Sequence, residues 1–498
     1  MNRPFLAQIC GSHHNGLGFF FCRQWVQNTS EQSQRIRAMR TTALLCLLLG
    51  FSTQSIAQPA AISPRGMGDS SETKGPATLI HAGTVLAVPG NGPQSTMTIV
   101  VRGDRVEAVE SGHQSAADLG IGSATVLDLS EHFVLPGLMD AHVHLRSQPF
   151  DRQVTRGFNR GRTSLTPAQK GVNAIIYARR TLAAGFTTVR DLGSDDQSVF
   201  AARDAINRGR VVGPRILVSG ASVAVTAGHA DTTNVDQNSP TLRMQNAVCD
   251  GEAECRRAVR YQAKMGADVI KVTITGGFAS NTKLLPQMFA DELTAIIDTA
   301  HQLDLKVAAH AYHPDAIRDA VAAGVDSIEH GFLVSDDGLR MMKREGAFLV
   351  PTISASYPPP FLRQIDPPSV RLRNEYAAFE RAYKMGVKVA FGTDAGTFAH
   401  GDNAKEFGLM VRYGMTPEDA IRAATVVTAD LFGIDDIGTL EPGQLADVIA
   451  VTADPLDDIT ALHSIDFVMK SGQVAKRDGV MLDGMTYPDF VGFSTPER

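Results

Sequence analysis

The stretch FVLPGLMDAHVHL, residues 133–145, combines an apolar strand with two histidines one residue apart. Side chains two residues apart on a β-strand point to the same face, so His142 and His144 emerge together. Two imidazoles that converge on one point are suited to bind a metal ion. An isolated His-x-His is more often a pair of core or surface histidines, so the metal hypothesis depends on further ligands elsewhere in the chain.

The composition is that of an ordinary globular enzyme. The 498 residues, 43% of them hydrophobic and 45 of them glycine, allow one large core and a smaller attached unit with many tight turns. The net charge of −6 favours neither nucleic acid nor an anionic membrane surface as a partner.

The N-terminal region contains an export signal. MRTTALLCLLLGFSTQSIAQ begins at Met39 with a basic residue, continues as a short apolar run and reaches small residues at Ala57. This order is typical of a secretory signal peptide, here residues 39–57 with cleavage after Ala57. The apolar run is too short to span a bilayer.

The segments on either side of this signal have no fold pattern. We interpret residues 1–38 as an upstream extension and residues 58–76, which are small, polar and rich in Pro and Gly, as a flexible leader. The mature protein is then expected to be exported, to the periplasm or the medium, with no stable membrane anchor after processing.

Export changes the interpretation of the cysteines. Cys10, Cys22 and Cys46 fall before the cleavage point, which leaves Cys249 and Cys255 in CDGEAEC. In an oxidising compartment, two close cysteines that flank Asp-Gly predict a local disulfide. A zinc-binding pair is the alternative, although no second Cys or His pair lies nearby in the sequence.

The rest of the chain divides into three blocks. Short β-rich runs separated by turns occupy residues 77–136 and return in residues 435–498, and we predict that they form one small β-domain from both ends of the chain. Between them, residues 137–434 alternate strand-like and helical runs, the pattern of βα units around a parallel sheet.

Eight strand-like runs can be identified in the central block. They are GLMDAHVHL, FTTVRDLG, RILVSGA, ADVIKVTITGG, LKVAAHAY, VDSIEHG, AFLVPTI and VKVAFGTDAG. Eight βα units predict an α/β fold with a (β/α)₈ barrel of the TIM type, whose chemistry lies at the C-terminal ends of the strands. An open doubly wound sheet is the alternative, but no Gly-rich phosphate fingerprint follows the first strand.

Further candidate ligands stand at the C-terminal ends of these strands. The full set is His142, His144, Lys271, His310, His330 and Asp394. Each has an ordinary explanation when taken alone, such as a satisfied core histidine for His310 or a snorkelling lysine for Lys271. Burial of six polar residues at the ends of apolar strands would cost folding free energy, so a shared function is the better explanation.

The motifs DAHVHL, VIKV, AAHAY, IEHG, GTDAG and GTLEPGQLADVI resemble the amidohydrolase superfamily over nearly all of residues 77–498. Within it, the chain is similar to the prolidase-like members, a group that also resembles imidazolonepropionase and the ochratoxin-cleaving amidohydrolases. The resemblance implies a carboxypeptidase- or dipeptidase-like hydrolase. Its small-molecule substrate would be an Xaa-Pro or related dipeptide, an N-acyl amino acid or an ochratoxin-like amide. It also implies a homo-oligomer, because the resembled group commonly assembles into rings.

The resemblance further implies two zinc ions. His142, His144 and Asp394 would hold the first metal, His310 and His330 the second, and Lys271 would bridge both as a carbamate. A desolvated lysine loses its proton readily and can add CO₂, which gives an anion with two oxygen ligands. Asp394 would take a proton from the attacking water and deliver it to the leaving nitrogen.

Four residues are candidates for substrate contact, namely Tyr312, His229, Ser147 and Gly277. Tyr312 points to the same side as His310, and such a tyrosine contacts the substrate in the resembled group, with a rim aromatic as the alternative. His229 follows strand three, where the resembled group usually has Gly-Gly-His, so Ala227 is a departure. Gly277 would let a loop approach the metals.

Three other functions are alternatives to amide hydrolysis. A mononuclear deaminase typically needs a Glu three residues after the strand-five histidine, where this chain has His313, and it does not use a carbamate such as Lys271 would form. A non-enzymatic relative would have lost ligands, and none is missing. A lactonase or a cyclic-imide or imidazolone ring hydrolase remains the alternative, because it shares the metal core and differs only in the pocket.

Overall fold

A computed structural model describes residues 77–149, 165–194, 197–231, 246–277, 283–356 and 370–482. The predicted upstream extension, signal peptide and leader therefore lie outside the described residues, as do residues 483–498 of the predicted C-terminal β-segment. Among the described residues, no helix combines the length and the apolar character needed to cross a membrane.

Strands and helices follow one another as the alternating sequence pattern predicts. The strands are β1 (Ala77–Val85), β2 (Gln94–Arg102), β3 (Arg105–Ser111), β4 (Ala124–Pro136), β5 (Leu138–Val143), β6 (Phe186–Asp191), β7 (Arg215–Val218), β8 (Val269–Thr273), β9 (Lys306–Ala311), β10 (Ser327–His330), β11 (Phe348–Val350), β12 (Val448–Val451), β13 (Phe467–Lys470), β14 (Gln473–Arg477) and β15 (Val480–Met481). The α-helices are α1 (Pro167–Ala183), α2 (Ser198–Asn207), α3 (Glu252–Lys264), α4 (Ala290–Gln302), α5 (Pro314–Ala322), α6 (Asp336–Glu345), α7 (Ile353–Ser356), α8 (Val370–Met385), α9 (Lys405–Arg412), α10 (Pro417–Ala423) and α11 (Val426–Phe432). A 3₁₀ helix spans Ile459–His463.

Strands from both ends of the described chain pair in one sheet. Its order is β15-β14-β13-β12-β4-β1-β2-β3. Antiparallel pairing of β4 with β12, with Val448 opposite Pro136, joins the N-terminal strands to the C-terminal ones. Apolar side chains of both groups, such as Ile80 and Phe467, share one core. The sheet thus contains strands of both predicted β-segments, while the boundaries of a separate β-domain stay a prediction.

Seven of the eight strands predicted for the barrel form regular parallel strands. They make a three-stranded sheet, β5-β6-β7, and a four-stranded sheet, β11-β10-β9-β8. All side chains of β5, β6, β8 and β10 are buried. Their nearly continuous apolar character follows from this burial on both faces.

The prediction of an eighth regular strand, VKVAFGTDAG, was wrong. Residues 387–396 make isolated bridges to the strands on either side, Val143 with Ala395 and Leu349 with Val389. Asp394 has a φ of 58°, a left-handed conformation that interrupts a regular strand. At Gly392 a Cβ would lie 2.3 Å from a methyl group of β11, so the backbone runs too close to β11 for any other residue.

The gap between β7 and β8 is also crossed by an isolated bridge. Val223 donates a hydrogen bond of 2.7 Å to the carbonyl of Lys271 and pairs with Val272 of β8. The two parallel sheets are therefore linked at both of their ends by single bridges, and a closed eight-stranded barrel stays a prediction.

Candidate metal centre

The first three predicted metal ligands lie together at the C-terminal end of β5. One ligand atom each from His142, His144 and Asp394 lie within 4.8 Å of one another. Oδ1 of Asp394 is 3.0 Å from Nε2 of His144 and 3.7 Å from Nε2 of His142. Side chains from the ends of β5 and of residues 387–396 thus converge on one point that could hold a metal ion.

The other two histidines extend this cluster. The ring of His330 is centred 5.2 Å from that of His142 and 4.8 Å from that of His310. All three rings are buried, and burial holds the pKa of each well below its usual value. The imidazoles are therefore neutral near pH 7, which is the form that binds metals.

Lys271 lies in the middle of β8 with 3% of its surface exposed. Burial lowers the pKa of its amine to about 8, although the charges of Glu329 and Asp394 oppose this shift. Within the described part of the chain, Nζ of Lys271 has no hydrogen-bond partner, and neither has Nε2 of His310. Unpartnered buried polar atoms are rare and costly, so both atoms point to a ligand.

Three residues of the cluster have a strained backbone. Asp394, His330 and Thr352 have φ angles of 58°, 72° and 50°, in the left-handed region that favours glycine. Such conformations cost about 1–3 kcal/mol each and are concentrated at functional sites. Thr352 also holds His330, because its Oγ1 lies 2.7 Å from Nδ1 of that ring.

A buried ion pair orients His142. Nδ1 of His142 lies 2.7 Å from Oε2 of Glu329, and with a carboxylate as acceptor this nitrogen carries the proton. Oε1 of Glu329 accepts hydrogen bonds from Arg190 at 2.9 Å and from Ser327 at 2.6 Å. Arg190 also donates to the carbonyl of Ala141 at 2.7 Å. Nε2 of His142 is thereby left with a lone pair directed at the cluster.

Asp140 joins β5 to the segment that carries Asp394. Oδ1 of Asp140 accepts hydrogen bonds from the amides of His142 and Thr393, at 3.0 and 3.1 Å. Its Oδ2 accepts from the hydroxyl of Thr393 at 2.6 Å and from the amide group of Asn403 at 2.7 Å. Burial raises the pKa of Asp140 to about 6, against the effect of these four donors.

Sequence reasoning missed Glu329, Arg190 and Asp140 as part of the site. Each is fully buried; Asp140 and Glu329 stand in the strands of His142 and His330, and Arg190 stands in the buried strand β6. A charged residue in such a strand requires a partner, and that requirement was the available signal.

Two of the predicted substrate-contact residues pack on the candidate metal-binding histidines His330 and His310. The ring of Tyr312 stacks on His330 with centroids 5.3 Å apart, and the ring of His229 stacks on His310 at 4.3 Å. A Cβ at Gly277 would lie 2.3 Å from the His229 ring, so glycine is required at this position.

The remaining predicted residues lie beside this centre or away from it. The carbonyl of Ser147 accepts a hydrogen bond of 3.3 Å from Nε2 of His400, which also lies 3.1 Å from the carbonyl of His144. Ser147 is thus placed next to His144 through its backbone. The structure joins Cys249 and Cys255 in a disulfide.

Comparison with known proteins decides the family. The profile of the amidohydrolase family matches residues 133–475. The chain belongs to the amidohydrolase family. It is 31% identical to ochratoxinase of Aspergillus niger over 435 residues, which covers 81% of this chain and 87% of the relative.

Two solved structures extend this comparison. A Xaa-Pro dipeptidase with methionine bound in its active site is 37% identical, with a TM-score of 0.72, and covers 80% of this chain and 100% of its own. A prolidase in complex with N-methylphosphonate-L-proline is 27% identical, with a TM-score of 0.70 and the same coverage. The protein is therefore a hydrolase of the amidohydrolase family, as its motifs predicted.

The donor set of this amidohydrolase fits the metals that the family implies. Neutral histidines and a carboxylate suit zinc, and His142, His144 and Asp394 supply three such ligands in one place. Nζ of Lys271 and Nε2 of His310 are both unpartnered, and the charge of Lys271 acts on His142, His310 and His330.

Proposed function

We propose that this amidohydrolase holds two zinc ions and cleaves an amide bond to release a C-terminal amino acid. The substrates would be Xaa-Pro-type dipeptides, N-acyl amino acids or ochratoxin-like amides. One observation carries the proposal, namely that the buried and unpartnered Nζ of Lys271 lies close enough to the candidate ligands for its charge to shift the pKa values of His142, His310, His330 and Asp394.

The six residues divide between the two ions. His142, His144 and Asp394 would hold the first ion, His310 and His330 the second, and Lys271 would join both as a carbamate. Because burial lowers the pKa of Lys271 to about 8, a neutral amine is available to form an N–C bond with CO₂ and release one proton. Bound zinc ions would supply activation of a water molecule and polarisation of the scissile carbonyl.

Asp394 is suited to move the proton. Burial alone would raise the pKa of its carboxyl group, but the neighbouring His144, whose Nε2 lies 3.0 Å from Oδ1, outweighs this effect and lowers the pKa. Asp394 is therefore a carboxylate near neutral pH. It can take a proton from the attacking water and deliver it to the nitrogen of the leaving amino acid.

Tyr312 and His229 would recognise the substrate. They flank the metal-binding rings of His330 and His310, and Nδ1 of His229 is buried with no hydrogen-bond partner among the described residues. A substrate carboxylate needs specific donors when it is buried, and Tyr312 and His229 would supply them. The methionine bound in the active site of the similar dipeptidase and the proline phosphonate bound to the similar prolidase support a substrate that contains an amino acid.

A mononuclear deaminase is disfavoured by the position of His313. Nδ1 of His313 accepts a hydrogen bond of 3.2 Å from the amide of Asp315 and caps the N-terminus of α5. This nitrogen is thus engaged in a helix cap, whereas a deaminase would use the position for acid–base chemistry.

The proposal also includes a closed (β/α)₈ barrel, a homo-oligomer and export after cleavage near Ala57. Single bridges at both junctions of the parallel sheets support closure of the barrel. Light scattering of the purified mature protein measures the oligomeric state, and a monomer would remove that part of the proposal.

The substrate class is tested with a screen of Xaa-Pro, Xaa-Arg, Xaa-Lys and N-acyl amino acids on the zinc-loaded protein. The best N-acyl amino acid is then compared with its C-terminal amide. We expect kcat/KM to fall at least about 100-fold for the amide, because buried donors lose their charged partner. Equal values would remove the carboxylate requirement and favour a lactonase or a cyclic-imide or imidazolone ring hydrolase.

A further inference from the structure

The segment that follows β7 carries His229 and lies between two neighbours. On one side, Val223 exchanges hydrogen bonds of 2.7 and 2.9 Å with β8, one of them to the carbonyl of Lys271. On the other side, the carbonyl of Ala224 accepts a hydrogen bond of 2.9 Å from the amide of Cys249. The segment thus connects the strand of the candidate bridging lysine with the beginning of the disulfide loop.

The disulfide loop, residues 249–255, forms a second set of hydrogen bonds with this segment. The disulfide between Cys249 and Cys255 closes the loop, and both cysteines are buried. Asp250 accepts two hydrogen bonds from Thr226, one from its amide at 3.1 Å and one from its hydroxyl at 2.7 Å. The position of Thr226 therefore depends on the shape of the disulfide loop.

Two further sets of contacts lie at the start of α4, one to the disulfide loop and one to His229. Oε1 of Glu292 accepts from the amide of Gly251 at 2.7 Å, and its Oε2 accepts from the amide of Phe289 at 2.9 Å. The side chain of Gln287 in turn accepts from the amide of His229 at 2.9 Å. The turn before His229 is thus held by the disulfide loop at Thr226 and by Gln287 at His229.

The turn between these two anchors has a strained backbone. Ala227 has a φ of 61°, in the left-handed region that a residue with a Cβ disfavours. The amide of Ala227 donates a hydrogen bond of 2.7 Å to Asp231 within the turn, and the contact of Thr226 with Asp250 adds an anchor from the disulfide loop. Loss of this anchor would let His229 move away from His310, on which its ring stacks at 4.3 Å with an interplanar angle of 15°.

We infer that the disulfide loop is a positioning element that holds His229 over His310 and stabilises the strained turn at Ala227. The residues that act are Cys249, Cys255 and Asp250, none of which belongs to the metal-binding cluster. The inference rests on the proposed function only where it assigns a substrate contact to His229.

The double variant C249S/C255S tests the inference by hydrogen exchange and kinetics on the zinc-loaded protein. We expect exchange in peptides that cover residues 219–231 to accelerate about tenfold, with β5 and β8 unchanged. The zinc content should stay constant, and KM should rise about five- to tenfold with little change in kcat, as for a lost hydrogen-bonded contact. Unchanged exchange in residues 219–231 together with a lower Tm would overturn the inference, since it would show a purely structural role.

The variant Thr226→Val provides an independent test that leaves the disulfide intact. It removes the 2.7 Å hydrogen bond to Asp250, so it should accelerate exchange in the same peptides by a smaller factor, about threefold. It also covers the case in which the double variant does not fold. No acceleration in residues 219–231 would contradict the coupling between the disulfide loop and the turn.

The role of the strain is tested in an Ala227→Gly background. Glycine adopts the left-handed conformation without strain, so C249S/C255S should accelerate exchange and raise KM less in this background than in the natural chain. If C249S/C255S raised the exchange rate and KM equally in both backgrounds, the disulfide loop would not act by stabilising the strained turn at Ala227. Faster exchange with an unchanged KM would support the positioning element and count against a substrate contact by His229.

Discussion

Glu329 holds His142 through a hydrogen bond of 2.7 Å between Oε2 and Nδ1, and Arg190 donates to the other oxygen of the same carboxylate at 2.9 Å. All three side chains are at most 1% exposed. A buried ion pair contributes little net stability but is strongly destabilising when one partner is removed. Its effect here is to fix the tautomer of His142, so that Nε2 faces Asp394.

The variant Glu329→Gln should weaken zinc binding at the His142 site by about 10- to 100-fold, because the charge that fixes the imidazole is lost. Zinc transfer to a chromogenic chelator measures this affinity. Ser327→Ala is the matched control, since it removes a 2.6 Å hydrogen bond to the same carboxylate but keeps its charge. Zinc affinity in Glu329→Gln that equals that of the control would contradict the orienting role.

The variant Lys271→Ala should abolish metal-dependent turnover, because both ions lose their shared ligand at once. Acetate or propionate should restore a little activity by taking the place of the missing carboxylate. Lys384→Ala is the control, since this lysine is largely exposed on α8. Near-normal activity and full metal content in Lys271→Ala would show that this lysine does not bridge the ions.

Glu406 should make stability depend on pH. Its carboxyl group accepts hydrogen bonds from the amides of Ile353 and Ser354 at 2.8 and 2.7 Å, and burial raises its pKa from 4.5 to about 7. Between these values the folded state binds more protons than the unfolded state. The free energy of unfolding therefore decreases as pH rises from 4.5 to 7.

Thermal unfolding of the natural protein and of Glu406→Gln across pH 5–8 tests this assignment. The natural protein should lose roughly 1–3 kcal/mol more than the variant over this range. Parallel pH profiles for the two proteins would show that the carboxyl group of Glu406 does not titrate in this window.

Several candidate metal ligands could be proposed from the sequence because they follow from local pattern. His142 and His144 share a strand face through the period of two, and Lys271 stands as a charge inside an apolar run. The α/β alternation likewise follows from local pattern. The eighth strand could not be predicted correctly, since the left-handed backbone of Asp394 depends on its packing against β5 rather than on its own sequence.

The residues that support the ligands were harder to find. Glu329 and His142 are separated by 187 positions in the chain, so no spacing relates them. Glu406 stands in a helix with ordinary amphipathic character, and only its contact with the start of α7 reveals its role. Such contacts form only in the tertiary fold, between residues far apart in the chain, so they leave no short pattern in the sequence.

Processing of the N-terminal region is a separate prediction. Translation from Met39 and cleavage after Ala57 would give an exported chain that begins at Gln58. Mass spectrometry of the protein from its native envelope or medium measures the N-terminus directly. Peptides from residues 1–38 in the mature protein would contradict this prediction.

The zinc content of the purified protein, measured by elemental analysis against protein concentration, is the most direct test of the two-metal centre. We expect about two zinc ions per chain. His142, His144 and Asp394 would hold the first ion, His310 and His330 the second, and Lys271 would join both. About one ion per chain would indicate a mononuclear site of the deaminase type, and none would indicate a non-enzymatic relative. Either result would contradict the two-metal centre.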